Sequence, residues 1–202
     1  MKFRSLATAA ASLALVGSVA VAGPAAAADG DPTFSDILDA QGDGTDRNWY
    51  DFDILAAGVS AAGLDGALDA QDEVTVFLPN DRAFQALVAD LFGWRYWFAN
   101  EAKILEKVAS LGPETLQTVI LYHAVPATID SATALSVPKG TPLPTLQGGE
   151  IEVNPKQRFG TAVLVDRDPD DRNAFLVRSK LDIAAENGFG HGISRVLRPI
   201  DL

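Results

Sequence analysis

Thr75-Val76-Phe77-Leu78-Pro79-Asn80-Asp81-Arg82-Ala83-Phe84 decides the fold. Val74 to Leu78 is a short β-rich apolar run of the kind that forms a buried strand, and Pro79 ends it because proline donates no ladder hydrogen bond. Asn80 then stands where a side-chain oxygen can cap free helical N–H groups, and Phe84, Leu87, Val88 and Leu91 follow at i, i+3, i+4, i+7. That spacing predicts a helix with one apolar face, closed at Gly93. A buried strand feeding an amphipathic helix through one turn requires both to share a core.

Upstream, Asp29 to Tyr50 is acidic and Gly-rich except for Thr33 to Gln41, where Phe34, Ile37 and Leu38 mark a short helix. A second helix is expected from Asp51, with that carboxylate as its cap and Phe52, Leu55, Val59 and Ala62 on its apolar side before Gly63. Downstream, Ile104, Leu105, Val108 and Leu111 predict a helix over about Asn100 to Leu111, and Gly112-Pro113 separates it from another over Glu114 to Leu121. Beyond Val125-Pro126 the pattern changes. Pro138, Pro142 and Pro144 break helices, Ile151 to Val153 and Ala162 to Val165 read as strands, and Gln147-Gly148-Gly149 reads as a hairpin turn. Phe175 to Val177 and Ile193 to Leu197 are further strand candidates, the second ended by Arg198-Pro199. Helices first and antiparallel strands later give an α+β class, and no internal repeat calls for a second core.

The chain opens with Lys2 and Arg4, an apolar small-residue stretch from Leu6 to Ala22, and Ala26-Ala27-Ala28, the three segments of a secretory signal. The stretch is too short and too Ala-rich for a spanning helix of roughly 20 apolar residues. The expected organisation is a signal peptide over 1–28, an extension with a short helix over 29–50, and one domain over 51–202. Such a leader implies a secreted, extracellular protein with no stable membrane insertion after cleavage. The Ala-rich leader and abundant Asp also fit a bacterial source.

Acidic residues number 27 against 16 basic ones, a net charge of −11, so the surface repels polyanions and nucleic acid is excluded as a partner class. There is no cysteine, which removes disulfides and thiolate chemistry together. His123 and His191 are the two imidazoles, and neither has metal-ligand or triad spacing around it. No G-x-S-x-G, H-E-x-x-H, G-x-x-x-x-G-K or G-x-G-x-x-G motif is present. The chain therefore reads as a non-enzyme without a cofactor, although two facing carboxylates of a glycosidase would leave no sequence trace.

Asp39-Ala40-Gln41-Gly42-Asp43-Gly44-Thr45 imitates the start of a calcium loop, and Asp39, Asp43, Asp46 and Asp51 are its candidate ligands. The twelfth position is Tyr50 in place of a bidentate Glu, so a solvated acidic turn without metal is the expectation. Trp94, Tyr96, Trp97 and Phe98 crowd one connection between helices, where aromatics form either local core or an exposed contact surface.

The opening decapeptide, the Tyr122-His123 pair behind a Leu-rich helix, and the closing Asn187-Gly-Phe-Gly-His-Gly-Ile-Ser-Arg-Val-Leu-Arg-Pro199 together resemble the fasciclin domain over about 51–202. The motif positions are Thr75, Phe77, Pro79, Asn80, Phe84, Asn187, Gly188, His191, Val196, Leu197 and Pro199. The resemblance implies a compact, wedge-shaped β-sandwich of about seven strands flanked by several α-helices. It also implies cell adhesion, or binding of extracellular matrix protein or polysaccharide, through surface contacts. Tyr122 and His123 fall on a pair assigned to adhesion in some animal members, while a buried pair would instead support the fold. His191-Gly192-Ile193-Ser194 departs from the family's His, aliphatic, Ile, Asp run, and no Arg-Gly-Asp is present to indicate an integrin ligand. Two other readings stand beside adhesion. One is a carrier of an apolar ligand such as a carotenoid, walled by Trp94, Tyr96, Trp97 and Phe98; the other is a glycan-active enzyme.

Overall fold

The computed structural model describes residues 30–42, 45–169 and 171–200; the expected signal peptide and Asp43 lie outside them. Helix α1 (Phe34–Asp39) starts in a capping box in which Asp36 N–H and the Thr33 hydroxyl oxygen meet at 3.0 Å while Thr33 N–H donates to Asp36. Helix α2 (Asp53–Ala61) does not begin at Asp51. Its cap is supplied from a distance: Ile54 N–H donates to Asp81 Oδ1 at 3.0 Å, while the Asp51 carbonyl accepts from Asp81 N–H at 3.2 Å. Then come β1 (Val74–Pro79) and α3 (Asp81–Phe92), with Asn80 accepting from Ala83 N–H as its sequence position predicts.

A one-turn 3₁₀ segment, Trp94–Phe98, leads to α4 (Glu101–Ala109), capped by Asn100, and α5 (Pro113–Tyr122). After β2 (Ala124–Val125) comes a helix that the sequence pattern does not announce, α6 (Ser131–Ser136), opened by Asp130 accepting from Thr133 N–H at 2.7 Å. Strands β3 (Thr141–Pro144), β4 (Glu150–Lys156), β5 (Thr161–Val165) and β6 (Ala174–Phe175) follow, then β7 (Ile183–Ala185) and β8 (Gly188–Ile193).

These strands make two four-stranded sheets, ordered β2-β1-β8-β7 and β3-β4-β5-β6. The class is α+β. The second sheet is antiparallel throughout and uses the Gly148-Gly149 turn between β3 and β4, but β1 and β8 at the centre of the first run parallel, with Val74 opposite Gly188 and Phe77 opposite His191.

The last strand is Gly188–Ile193 where apolar patterning favours Ile193 to Leu197. Glycine ordinarily weakens strands, but here the neighbours leave no room for a side chain. A Cβ on Gly188 would lie 1.7 Å from the Val74 carbonyl oxygen, and one on Gly190 would meet Leu78 at 2.7 Å.

Strand β1 is buried on both faces. Val74, Val76 and Leu78 join Phe34, Phe84, Ile104 and Ile120 under the helices, whereas Phe77 joins Tyr122, Ile151, Leu164, Ile193 and Leu197 between the sheets. Period-two alternation thus lets one strand serve two apolar layers. Among the described residues no helix is long and apolar enough to cross a membrane.

Candidate functional site

The aromatic connection divides. Trp94 and Phe98 are 75% and 81% exposed and meet edge to face at 5.8 Å, while Tyr96 is buried against Phe92 and Trp97 lies half-buried under the Arg82 guanidinium at 5.0 Å. Gln85 secures the segment from below by donating to the Trp97 carbonyl at 3.2 Å. Two rings anchor the turn and two stand in solvent, so the four do not converge as the walls of one ligand pocket. An apolar cavity beside Phe84, Leu116 and His123 measures about 20 Å³, about the space of one water. It has no room for a carotenoid.

Tyr122 and His123 are in the interior, where a pair that supports the fold belongs. Tyr122 Oη donates to the Glu150 carbonyl at 2.6 Å, with its ring against the Gly149 turn, and burial pushes the phenol up to about 12. His123 Nε2 accepts from Leu197 N–H at 2.9 Å, which leaves Nδ1 to carry the proton and donate to the Val119 carbonyl at 2.7 Å. Burial holds the imidazole down at about 4, neutral in ordinary conditions. His191, also buried, is used the same way: Nε2 reaches the Ile129 carbonyl at 2.8 Å and Nδ1 accepts from Asp182 N–H at 3.2 Å. Both rings spend both nitrogens on the backbone, and neither faces a space where a substrate could sit. Asn187 is likewise structural, donating to the Leu68 and Gln71 carbonyls at 2.8 Å each.

The acidic residues hold a second feature. Asp53, Asp81 and Glu101 each open a helix, α2, α3 and α4, and all three are at least nine-tenths buried. With Asp46 and Asp51 from the preceding loop they form two triads that share Asp53: Asp46, Asp53 and Glu101, and Asp51, Asp53 and Asp81, the oxygens of each lying within 4.8 Å of one another. Two of the four acids marked by the loop pattern, Asp46 and Asp51, fall in this group, while Asp39 ends α1 in solvent. Burial, then the neighbouring carboxylates, raises Asp53 and Glu101, and burial with Asp51 alongside pushes Asp81 up to about 9. A cleft of about 510 Å³ between α1 and α2 reaches this group at Asp53. Asp81 and Glu101 lie behind it, out of reach of a sugar.

Sequence reasoning also passed over a charged knot at the C-terminal end. Buried Arg198 meets Asp168 at 3.0 Å and Asp171 at 3.3 Å, and Arg195 meets Asp90 at 3.2 Å, fastening the last segment to α3. The alternation of Arg195 and Arg198 with Val196 and Leu197 was the available signal.

Comparison with known proteins fits this architecture. The fasciclin domain profile matches residues 50–199. Transforming growth factor-beta-induced protein ig-h3 of Sus scrofa is 30% identical over 148 residues, covering 73% of this chain but 18% of that protein, so the chain spans less than a fifth of this relative's length. In fold it resembles a FAS1 domain pair from the insect cell adhesion molecule fasciclin I, with a TM-score of 0.59 at 15% identity over 83% of this chain and 51% of the other. Strand β1, its Pro79 turn, the Asn80-capped helix and the closing glycine strand are thus parts of a known domain: the chain belongs to the fasciclin domain family.

Proposed function

We propose that this protein is an exported adhesion or matrix-binding module that works by surface contact and not by turnover, with extracellular protein or polysaccharide as its partner. The single observation that carries the reading is the Trp94–Phe98 pair, two large rings held together in water on a turn whose other aromatics are anchored. Exposed aromatics are the commonest strong contributors to binding interfaces and also stack on sugar rings. Adjacent Arg95, itself exposed, adds a planar cation suited to carboxylates on either partner. Full use of His123 and His191 by the backbone supports contact over catalysis, as does the burial of Asp81 and Glu101. The relationship to an insect cell adhesion molecule points the same way.

The test is an array of matrix proteins and polysaccharides probed with the wild type and a Trp94→Ala/Phe98→Ala variant. Binding that the variant loses while its melting temperature is unchanged supports the reading. Absence of binding by the wild type at high protein concentration, or equal binding by the variant, overturns it.

A further inference from the structure

We infer that the carboxylates gathered around Asp53 form a binding site for a hard divalent cation of calcium size, held by Asp46, Asp53 and Glu101, with the adjoining triad of Asp51, Asp53 and Asp81 sharing Asp53. The inference does not rest on the aromatic surface; it rests on buried carboxylate oxygens that no cationic side chain or well-formed hydrogen bond matches. Asp51 Oδ1, Asp53 Oδ1, Asp81 Oδ2 and both Glu101 oxygens are buried with no hydrogen-bond partner, in a fold that satisfies its buried histidines completely. Glu101 is 1% exposed and lies with its carboxylate against those of Asp46 and Asp53. A buried ionised carboxylate without a partner is strongly disfavoured, and three buried ones, Asp53, Asp81 and Glu101, gathered with Asp46 and Asp51 in two triads compound the cost.

The geometry sets the kind of ion. Oxygens bound to one calcium at 2.3–2.6 Å are at most about 4.6–5.2 Å apart, twice the bond length, and the oxygens of each triad lie within 4.8 Å of one another, close enough to share such an ion. Calcium also suits a cage of several protein carboxylates better than magnesium, which keeps most of its waters. The donors are all oxygen, with no histidine or cysteine near, which disfavours zinc and copper.

The frame around the ligands is already fixed. Asp81 Oδ1 is held by Ile54 N–H, leaving Oδ2 free, and the loop bearing Asp46 and Asp51 is tied to the start of α3 through Arg82 N–H to the Trp49 carbonyl at 3.0 Å. A second tie is Asn48 N–H donating to Asp46 Oδ1. The cleft that reaches Asp53 gives an ion its route from solvent. Protons are the competing way to neutralise the cluster: Asp51 and Asp81 are placed to share one, and Glu101 could share another with Asp46 or Asp53, so the cation competes with protons for these oxygens.

The experiment uses the whole chain, stripped with chelator at neutral pH and titrated with calcium by calorimetry, with terbium luminescence excited through tryptophan as a second readout. Calcium is expected to bind, to raise the melting temperature by several degrees over chelator, and to protect backbone amides at the starts of α2, α3 and α4 in hydrogen exchange. An Asp53→Asn/Glu101→Gln variant is expected to weaken binding by more than about 100-fold, while Asp39→Asn leaves it unchanged. Equal melting of the wild type in calcium and in chelator with no heat of binding overturns the inference, as does binding that survives in the double variant. Should that variant fail to fold, exchange protection decides: slowing at the three helix starts supports the site, and slowing elsewhere overturns it.

Discussion

Two buried polar regions of this domain obey opposite rules. At the two buried histidines, His123 and His191, every nitrogen is matched to a backbone group, and each ring ties together segments far apart in sequence. At the starts of α2, α3 and α4, Asp53, Asp81 and Glu101 gather with four unmatched oxygens, and neighbouring Asp51 adds a fifth. Complete matching is what a structural polar group requires, since an orphaned buried group costs about 1–3 kcal/mol. Single unmatched atoms also occur at Asn154, Asn187 and Arg198, so it is several unmatched oxygens gathered in one place that mark where something from outside completes the fold. Polarity in a core is therefore not informative by itself; the unmet valence is.

The largest expected effect breaks the satisfied side. Gly188→Ala places a methyl 1.7 Å from the Val74 carbonyl oxygen, with backbone on both sides of the clash, so β1 and β8 cannot keep their register. A loss of about 4 kcal/mol or more is expected in denaturant unfolding, and a variant within about 1 kcal/mol of wild type would show that the pairing is loose. Phe84→Ala comes next, at about 3–5 kcal/mol, because the ring is 6% exposed beside His123 and Val196 in a well-filled layer. A small loss there would mean that the helical side of β1 is poorly packed, and the contrast drawn above would weaken.

A pH titration sharpens the comparison. Burial lowers His123 from 6.5 to about 4, so the folded state binds fewer protons than the unfolded state between those values. Its contribution to stability is complete above about pH 6.5 and is lost as pH falls toward 4, approaching roughly 3 kcal/mol at the acid end. The direct readout is the imidazole proton resonance of His123, which is expected to stay at its neutral position down to pH 5. A resonance moving near pH 6.5 would place the ring in water.

The unsatisfied side answers to charge removal instead. In chelator, Asp53→Asn/Glu101→Gln removes two like charges from a buried cluster and is expected to raise stability by about 1 kcal/mol over wild type in the same buffer. A destabilised variant would mean that those carboxylates have protein partners after all, and the two regions would follow one rule.

How much of this was legible depends on whether the determinants are local. Asn80 before a 3.6-period helix, Pro79 after a β run and the Gly148-Gly149 turn act within a few residues, so β1, α3 and the β3–β4 hairpin could be read directly. Strand β8 could not be read from patterning, because its glycines answer to Val74, Leu78 and Lys180, residues brought beside it only by folding. Only the likeness to a family motif marked those positions. The acidic cluster was half legible. A contiguous loop pattern drew attention to Asp46 and Asp51 but also to Asp39, whereas Asp53, Asp81 and Glu101 are assembled by three helix starts. Their one local mark is an acid placed just after a capping position, as in Asn80-Asp81 and Asn100-Glu101.

The smallest stability effect carries the functional reading. Trp94 and Phe98 are the apolar counterpart of the unmatched oxygens: large groups left without partners beside Tyr96, which has them. If the exposed pair serves the fold only through its own edge contact, replacing both with Ala should shift unfolding by no more than about 0.5 kcal/mol, within the usual range of surface changes. Loss of matrix or polysaccharide binding at that small cost would separate recognition from folding at this turn. A loss of 2 kcal/mol or more would assign the rings to the core instead, and it would restrict the rule of unmet groups to the carboxylates around Asp53.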